Sequence, residues 1–353
     1  MRIVELRSDT FTLPTEEMLE AIRHAKLGND GYGEDPTVNR LEDMAAEMLG
    51  MEDALLVTSG TQGNLVSLLA QTSPGEEVIL GRNSHIFLFE MGSMAFIAGL
   101  MAHIIDDSSG FLDPEDVEAA IRSDFELFPK TSLVCMENTH MMAGGIAVTP
   151  EQIKAVKDVV EAHNLRLYLD GARIFNAAVA LGVDVKAFTR NVDSVMFCLS
   201  KGLCCPVGSL VVGDSDFIKR ARRFRTMVGG TMRQAGIIAA AGIVALEKMI
   251  DRLKEDHENA RRLAEGLAKI DGLKIDLSKV QTNIVYVDIS ALNVDAERVV
   301  RMLKERGIKT TSLTKSSLRM VTHKDVSRED IDYVVETMEQ LVEHIQEKSC
   351  SEG

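Results

Sequence analysis

Short apolar runs alternate with stretches of helical period through the first two-thirds of the chain, the pattern of βαβ units around a mainly parallel sheet. The runs Ala54–Thr58, Val78–Leu80, Leu133–Met136, Arg166–Leu169 and Ser194–Leu199 predict strands. Between them, helices are marked by spacing and caps. Val38, Leu41, Ala45 and Met48 share one helical face that stops at Gly50. Thr149-Pro150-Glu151-Gln152 supplies an N-cap hydroxyl, a first-turn proline and a capping-box glutamine ahead of the stripe Ile153, Val156 and Val160. From about residue 247 the pattern changes. A long charged helix over Glu247–Ile270, a strand at Asn283–Val287, a helix near Ala296–Glu305, a strand at Leu318–Val321 and a final helix capped by Ser327 predict a smaller α+β domain. The last residues, Glu347–Gly353, are expected to fray.

Composition narrows the class without naming an activity. At 353 residues the chain can form one large or two unequal domains. A net charge of −15 and a pI near 5.1 argue against nucleic-acid or anionic-membrane partners, which require a basic face. The most apolar stretches, Phe87–Ala102 (broken by Glu90) and Ala235–Leu246, fall short of the roughly 20 residues that span a bilayer. Their Ala, Gly and Met content suits helices packed in a core or between subunits, and Met91–Met101 reads the same way. The charged N-terminus lacks the apolar run of a signal peptide. Five irregularly spaced cysteines, Cys135, Cys198, Cys204, Cys205 and Cys350, read as reduced thiols of a cytoplasmic protein. The adjacent pair Cys204-Cys205 reads as packed thiols.

Candidate chemistry gathers where the predicted strands end. Ser200-Lys201-Gly202 closes one strand, at the sheet edge where α/β proteins place ligands. A lysine against an apolar wall can lose its proton and form a Schiff base, although a lone strand-end lysine is also an ordinary surface residue. Asp170 closes another strand, 31 residues earlier, about one crossover away. Pyridoxal phosphate needs both a lysine and a carboxylate facing its ring nitrogen; taken alone, Asp170 would serve as a helix N-cap. Ser59-Gly60-Thr61 opens a helix after a third strand, where free amides and hydroxyls suit a phosphate, or simply cap the helix. Together the three serve three parts of one cofactor. His85 could stack on its ring or move protons, or be a satisfied core histidine. Arg173, Arg233 and Arg319 could each bind an anion or form a salt bridge.

The chain resembles the low-specificity L-threonine aldolases of the β-eliminating lyase superfamily over about residues 4–345. The resemblance rests on Leu6-Arg-Ser-Asp-Thr10, Gly31-Tyr-Gly-Glu-Asp-Pro36, Ser59-Gly-Thr61, Asp170-Gly-Ala-Arg-Ile-Phe-Asn176, Cys198-Leu-Ser-Lys-Gly202, Met232-Arg-Gln-Ala235 and Arg319-Met-Val-Thr-His323. It implies an α/β, PLP-dependent transferase-like fold (aspartate aminotransferase fold type I), mainly parallel in its large domain. Residues 1–20 would form an arm on the small domain, 21–246 the cofactor domain and 247–353 the C-terminal α+β domain. The implied activity is cleavage of L-threonine, L-allo-threonine or a related β-hydroxy-α-amino acid to glycine and an aldehyde. Lys201 would carry pyridoxal 5'-phosphate and Asp170 would face its ring nitrogen. His85 would stack and transfer protons. Ser59, Gly60 and Thr61 would hold the phosphate with Arg233 of a neighbouring subunit, in a homotetramer of tight dimers with Tyr32 near the shared site. Ser8, Arg173 and Arg319 would receive the substrate carboxylate. Leu127, Met141, Met142, Phe89 and Gln62 depart from the family pattern. A more apolar pocket beyond Cβ follows from those departures, compatible with β-elimination, racemisation or amino transfer on a less polar amino acid. A cofactor-binding protein without turnover is the remaining alternative.

Overall fold

The computed structural model describes residues 2–351, and side chains through residue 347. Its strands are β1 (Val4–Glu5), β2 (Asp53–Val57), β3 (Glu77–Gly81), β4 (Met101–Ile105), β5 (Thr131–Glu137) and β6 (Arg166–Asp170) in the first half of the chain. The later ones are β7 (Ser194–Cys198), β8 (Ser209–Gly213), β9 (Ile284–Asp288), β10 (Ile308–Lys309), β11 (Thr311–Thr314) and β12 (Ser317–Val321). Seven of them form one sheet in the order β2-β8-β7-β6-β5-β3-β4. All pairings from β7 to β4 are parallel, and β8 runs antiparallel to both its neighbours. Because β8 reverses, β2 points the same way as β7. The residues after β2, β3, β5, β6 and β7 therefore all emerge at one edge, which positions the site.

The sheet is buried on both faces. Leu167 and Leu169 point into one apolar layer while Tyr168 points into the other, as the two-residue period of a strand requires. The first layer is closed by the helix Pro36–Leu49, whose N-cap Asp35 accepts from the amides of Thr37 and Val38, and by the capping-box helix Pro150–Ala162. A separate core unites Val4 and Leu6 with Leu263, Val285, Leu318 and Val334. There β1 pairs with β10, and β11-β12-β9 form an antiparallel sheet under the final helix, Arg328–Ser351.

Three expectations change. The charged helix over Glu247–Ile270 is two helices, Gly236–Lys248 and Leu253–Leu267, separated by a turn at residues 249–252. Met249, in the turn, and Leu253, at the start of the second helix, pack in the first core, while Leu263 and Leu267 further along that helix pack in the other, so the second helix bridges the two cores. The stretch Phe87–Ala102 contains only two short helical turns and leads into the edge strand β4. Within it Met94 is buried, but Met91 is 98% and Phe96 90% exposed on this chain. The final helix runs through most of the stretch expected to fray, Glu352 and Gly353 lying outside the described residues.

Candidate active site

The lysine loop follows β7. The Lys201 carbonyl accepts from the Cys204 amide at 2.9 Å and from the Thr12 hydroxyl at 2.9 Å, which ties the N-terminal segment to the loop. Among the described residues the Lys201 ammonium has no ion-pair or hydrogen-bond partner, yet its charge is felt by both Asp9 and His85. Cys204 and Cys205 are buried beside it, and burial pushes the Cys204 thiol up to about 12, so both remain protonated packing residues.

Next to β7 in the sheet, β6 ends at Asp170, which is 2% exposed and accepts from the Ala172 amide and from Asn64 Nδ2 at 2.8 Å. One side-chain atom each from His85, Glu90 and Asp170 lie within 4.8 Å of one another. His85 starts the short helix after β3; its amide donates to Glu137 Oε2 at 2.7 Å. Burial lowers the imidazole's affinity for a proton, but Glu90 and Asp170 outweigh burial and raise it.

Past β2, Ser59 caps the helix Gly60–Gln71 by accepting from the Gln62 amide. The Gly60 and Thr61 amides, at the first helical positions, have no carbonyl one turn back. Gly60 and Gly63 let this helix end press on β7: a Cβ at Gly60 would lie 2.9 Å from Cys198 Sγ, and one at Gly63 2.6 Å from Met196 Cγ. An anion on those amides would sit beside the strand that delivers Lys201.

Arg173 donates through Nε and Nη2 to both oxygens of Asp9, at 2.8 and 2.7 Å, with both groups buried. Burial alone would raise the Asp9 carboxyl, but the Arg173 guanidinium holds it well below the usual carboxylate range. Asp9→Ala leaves that guanidinium buried and unpaired, with an expected loss of about 3–5 kcal/mol of stability. Denaturant unfolding of wild type and variant checks this. Arg319 is different. It touches the Arg7 carbonyl (3.2 Å) and Met141 Sδ (3.6 Å), has no carboxylate partner among the described residues, and keeps a buried Nε without an acceptor. Burial and the nearby Arg173 charge both oppose its protonation. Ser8, between Arg7 and Asp9, caps the turn Asp9–Phe11.

Thus Lys201, Asp170, His85, Arg173, Arg319, Ser8 and the Ser59–Thr61 turn belong to one connected group. Tyr32 and Arg233 stand apart from it. Gly31 packs against the Arg233 guanidinium, Tyr32 is 79% exposed, and neither side chain bonds to Lys201, Asp170 or His85 among the described residues. Gly230 connects their segment to Gln62. Of the departures, Phe89 lies against the His85 ring (centroids 5.6 Å apart) and Met141 against Ile284 and Val321. Leu127 is not in the pocket of its own chain. It precedes β5 at the opposite sheet edge, where Lys130 and Arg122 pair with Glu76 and Glu77, ~20 Å from the far end of the strand. The sequence reading passed over Asp9, Asn64, Glu90, Glu137 and Tyr168 as site residues. Glu90, a lone charge in an apolar run, and Asn64, a polar residue in an apolar turn of helix, carried the detectable signal.

The donor set fits pyridoxal phosphate. It offers an unpaired lysine, a buried carboxylate held by an amide, bare amides at a helix start, and an arginine without an anion. The sequence profile of the Beta-eliminating lyase family matches residues 5–290. The chain belongs to this family. The low-specificity L-threonine aldolase of Escherichia coli K12 is 44% identical, with 93% of this chain and 96% of that protein covered. The low-specificity L-threonine aldolase 1 of Arabidopsis thaliana is 41% identical, with 99% of both covered. Among solved structures, the threonine aldolase of Leishmania major superimposes with a TM-score of 0.81 at 19% identity, over 96% of this chain and 99% of that one. The β-eliminating lyase architecture is fold type I, as expected from the sequence.

Proposed function

We propose that this protein is a pyridoxal-phosphate-dependent carbon–carbon lyase that splits L-threonine, L-allo-threonine or a related β-hydroxy-α-amino acid into glycine and an aldehyde. The observation that carries this reading is Arg319, a half-buried guanidinium whose buried Nε has no acceptor and which has no carboxylate partner among the described residues; it feels the charges of Arg173 and Asp9, and Asp9 in turn feels Lys201. An amino-acid carboxylate supplies the missing anion. Lys201 would hold the cofactor covalently, Asp170 would face its ring nitrogen, His85 would lie on its ring, and the Gly60 and Thr61 amides with Ser59 would hold its phosphate. When bound, the cofactor withdraws electrons from the substrate Cα, which allows the bond to Cβ to break.

The chain's own residues do the rest. Arg319 and Ser8, with Arg173 behind them, fix the carboxylate and so set the angle of the Cα–Cβ bond. His85 takes the β-hydroxyl proton as that bond breaks and the aldehyde leaves; a proton returned to Cα completes glycine. Arg233 and Tyr32 act, in this reading, on the site of a second copy. Exposed Tyr32, Met91, Phe96, Leu127 and Met227 support such an assembly, a homotetramer of tight dimers. In this reading residues 1–20 belong to the C-terminal unit (247–353) beside a cofactor unit of 21–246; the pairing of β1 with β10 supports this for the first residues, whereas Met18 packs in the core of the cofactor unit. No helix among the described residues is long and apolar enough to cross a membrane. The free thiols of Cys135, Cys198, Cys204 and Cys205 support a cytoplasmic setting.

Coupled detection of acetaldehyde from L-threonine and L-allo-threonine tests the reading. Acetaldehyde from either is expected. A cofactor-loaded protein that releases none, but forms pyruvate from serine or racemises alanine, contradicts it in favour of another reaction on the same cofactor. One inert to all of these is a binding protein.

A further inference from the structure

Five side chains from three parts of the sequence meet beneath the pocket. Asn64 Nδ2 donates to Asp170 Oδ2 at 2.8 Å and to Glu90 Oε1 at 2.6 Å. The Tyr168 hydroxyl donates to Asn64 Oδ1 at 2.6 Å, and this fixes which way the amide faces. Glu90 Oε1 then meets His85 Nδ1 at 3.0 Å. Glu90 is 2% exposed, and its second oxygen has no partner among the described residues. The imidazole is the more open of the pair, with 29% of its side chain accessible.

We propose that Glu90 is the positioning residue of His85: it accepts the Nδ1 proton, so that Nε2 is the nitrogen presented to the substrate β-hydroxyl, while Asn64 fixes Glu90 relative to Asp170. This rests on the reading of His85 as the group that takes that proton. A neutral imidazole has one donor and one acceptor nitrogen, so a carboxylate on Nδ1 assigns the lone pair to Nε2. When Nε2 takes the proton, the new positive charge lies 3.0 Å from a carboxylate held in place by an amide. The charged groups facing His85 are Glu90 and Asp170, which favour its protonation, and Lys201, which opposes it; Glu137 holds its backbone amide. Glu90 faces Asp170 and His85. Burial, with Asp170, pushes its carboxyl up against the pull of His85 and Asn64, and the net shift is upward. Asn64 also explains how two carboxyl groups coexist here, since one amide nitrogen serves both.

Glu90→Gln in the holoenzyme keeps the shape and removes the charge. The His85 signal in 15N-histidine NMR, assigned by its loss in His85→Asn, should show protonated Nδ1 in the neutral wild-type form. In Glu90→Gln its titration midpoint should fall by about one unit. The acid limb of kcat/KM for L-threonine should move to lower pH with it, and kcat should fall about tenfold with little change in KM. Glu90→Asp, which keeps the charge, should restore part of the midpoint. An unchanged His85 titration and pH profile in Glu90→Gln, or a wild-type tautomer protonated on Nε2, overturns the proposal. Absence of acetaldehyde from the wild type overturns the reaction reading instead, and leaves the NMR result to decide the pairing.

Discussion

Lys201→Ala is expected to lower turnover of L-threonine by on the order of 10⁴-fold or more, the largest effect of any single substitution in this chain. No other lysine among the described residues follows the end of β7, the strand paired with the one that ends at Asp170. The substitution should not unfold the protein. Among the described residues the Lys201 ammonium makes no ion pair, and the contacts that hold the loop, from Cys204 and Thr12, go to the backbone carbonyl. Borohydride reduction followed by peptide mass analysis makes the assignment independent of activity. Wild type should carry the cofactor mass on the peptide containing Lys201, and the variant should carry none. A wild-type label on another lysine, or a variant with wild-type turnover, would remove Lys201 from the site.

Arg319→Ala should reduce kcat/KM for L-threonine by about 10²–10³-fold, mainly through KM. A pair of charge-assisted hydrogen bonds to a carboxylate contributes about 3–4 kcal/mol in such a pocket. The direction follows from the electrostatics. Burial and Arg173 both act against the Arg319 charge, and a bound carboxylate relieves both. Arg173 is expected to behave differently, because its Nε and Nη2 already hold Asp9 and its loss removes a buried ion pair. Steady-state kinetics combined with thermal unfolding separates the two: Arg319→Ala should lose affinity with its unfolding temperature nearly unchanged, while Arg173→Ala should lose both. Arg319→Lys restores the charge without the planar fork and should recover only part of the loss.

Strand ends were the readable part of this protein. Asp170, Lys201 and Ser59–Thr61 each follow an apolar run by a residue or two, and the unbroken apolar runs report a sheet buried on both faces. The direction of a strand is not written in its period. β8 is five residues, preceded by Gly208 and ending at Gly213, and its reversal, which aligns β2 with β7, appears only in three dimensions. The Asn64 network escaped for a related reason: its partners are 26 and 106 residues away, so no local spacing relates them. Leu127 shows the opposite error. Its place in a motif suggested a pocket residue, whereas β5 separates it from the pocket of its own chain by its whole length.

Product analysis in deuterium oxide tests the central claim most directly. Holoenzyme supplied with L-threonine should yield glycine and acetaldehyde in equal amounts, each glycine carrying one solvent deuterium at Cα, because the Cα–Cβ bond breaks and a solvent-derived proton returns to Cα. Formation of 2-oxobutyrate and ammonia, with no glycine, would show that the Cβ–oxygen bond breaks instead and would contradict the account.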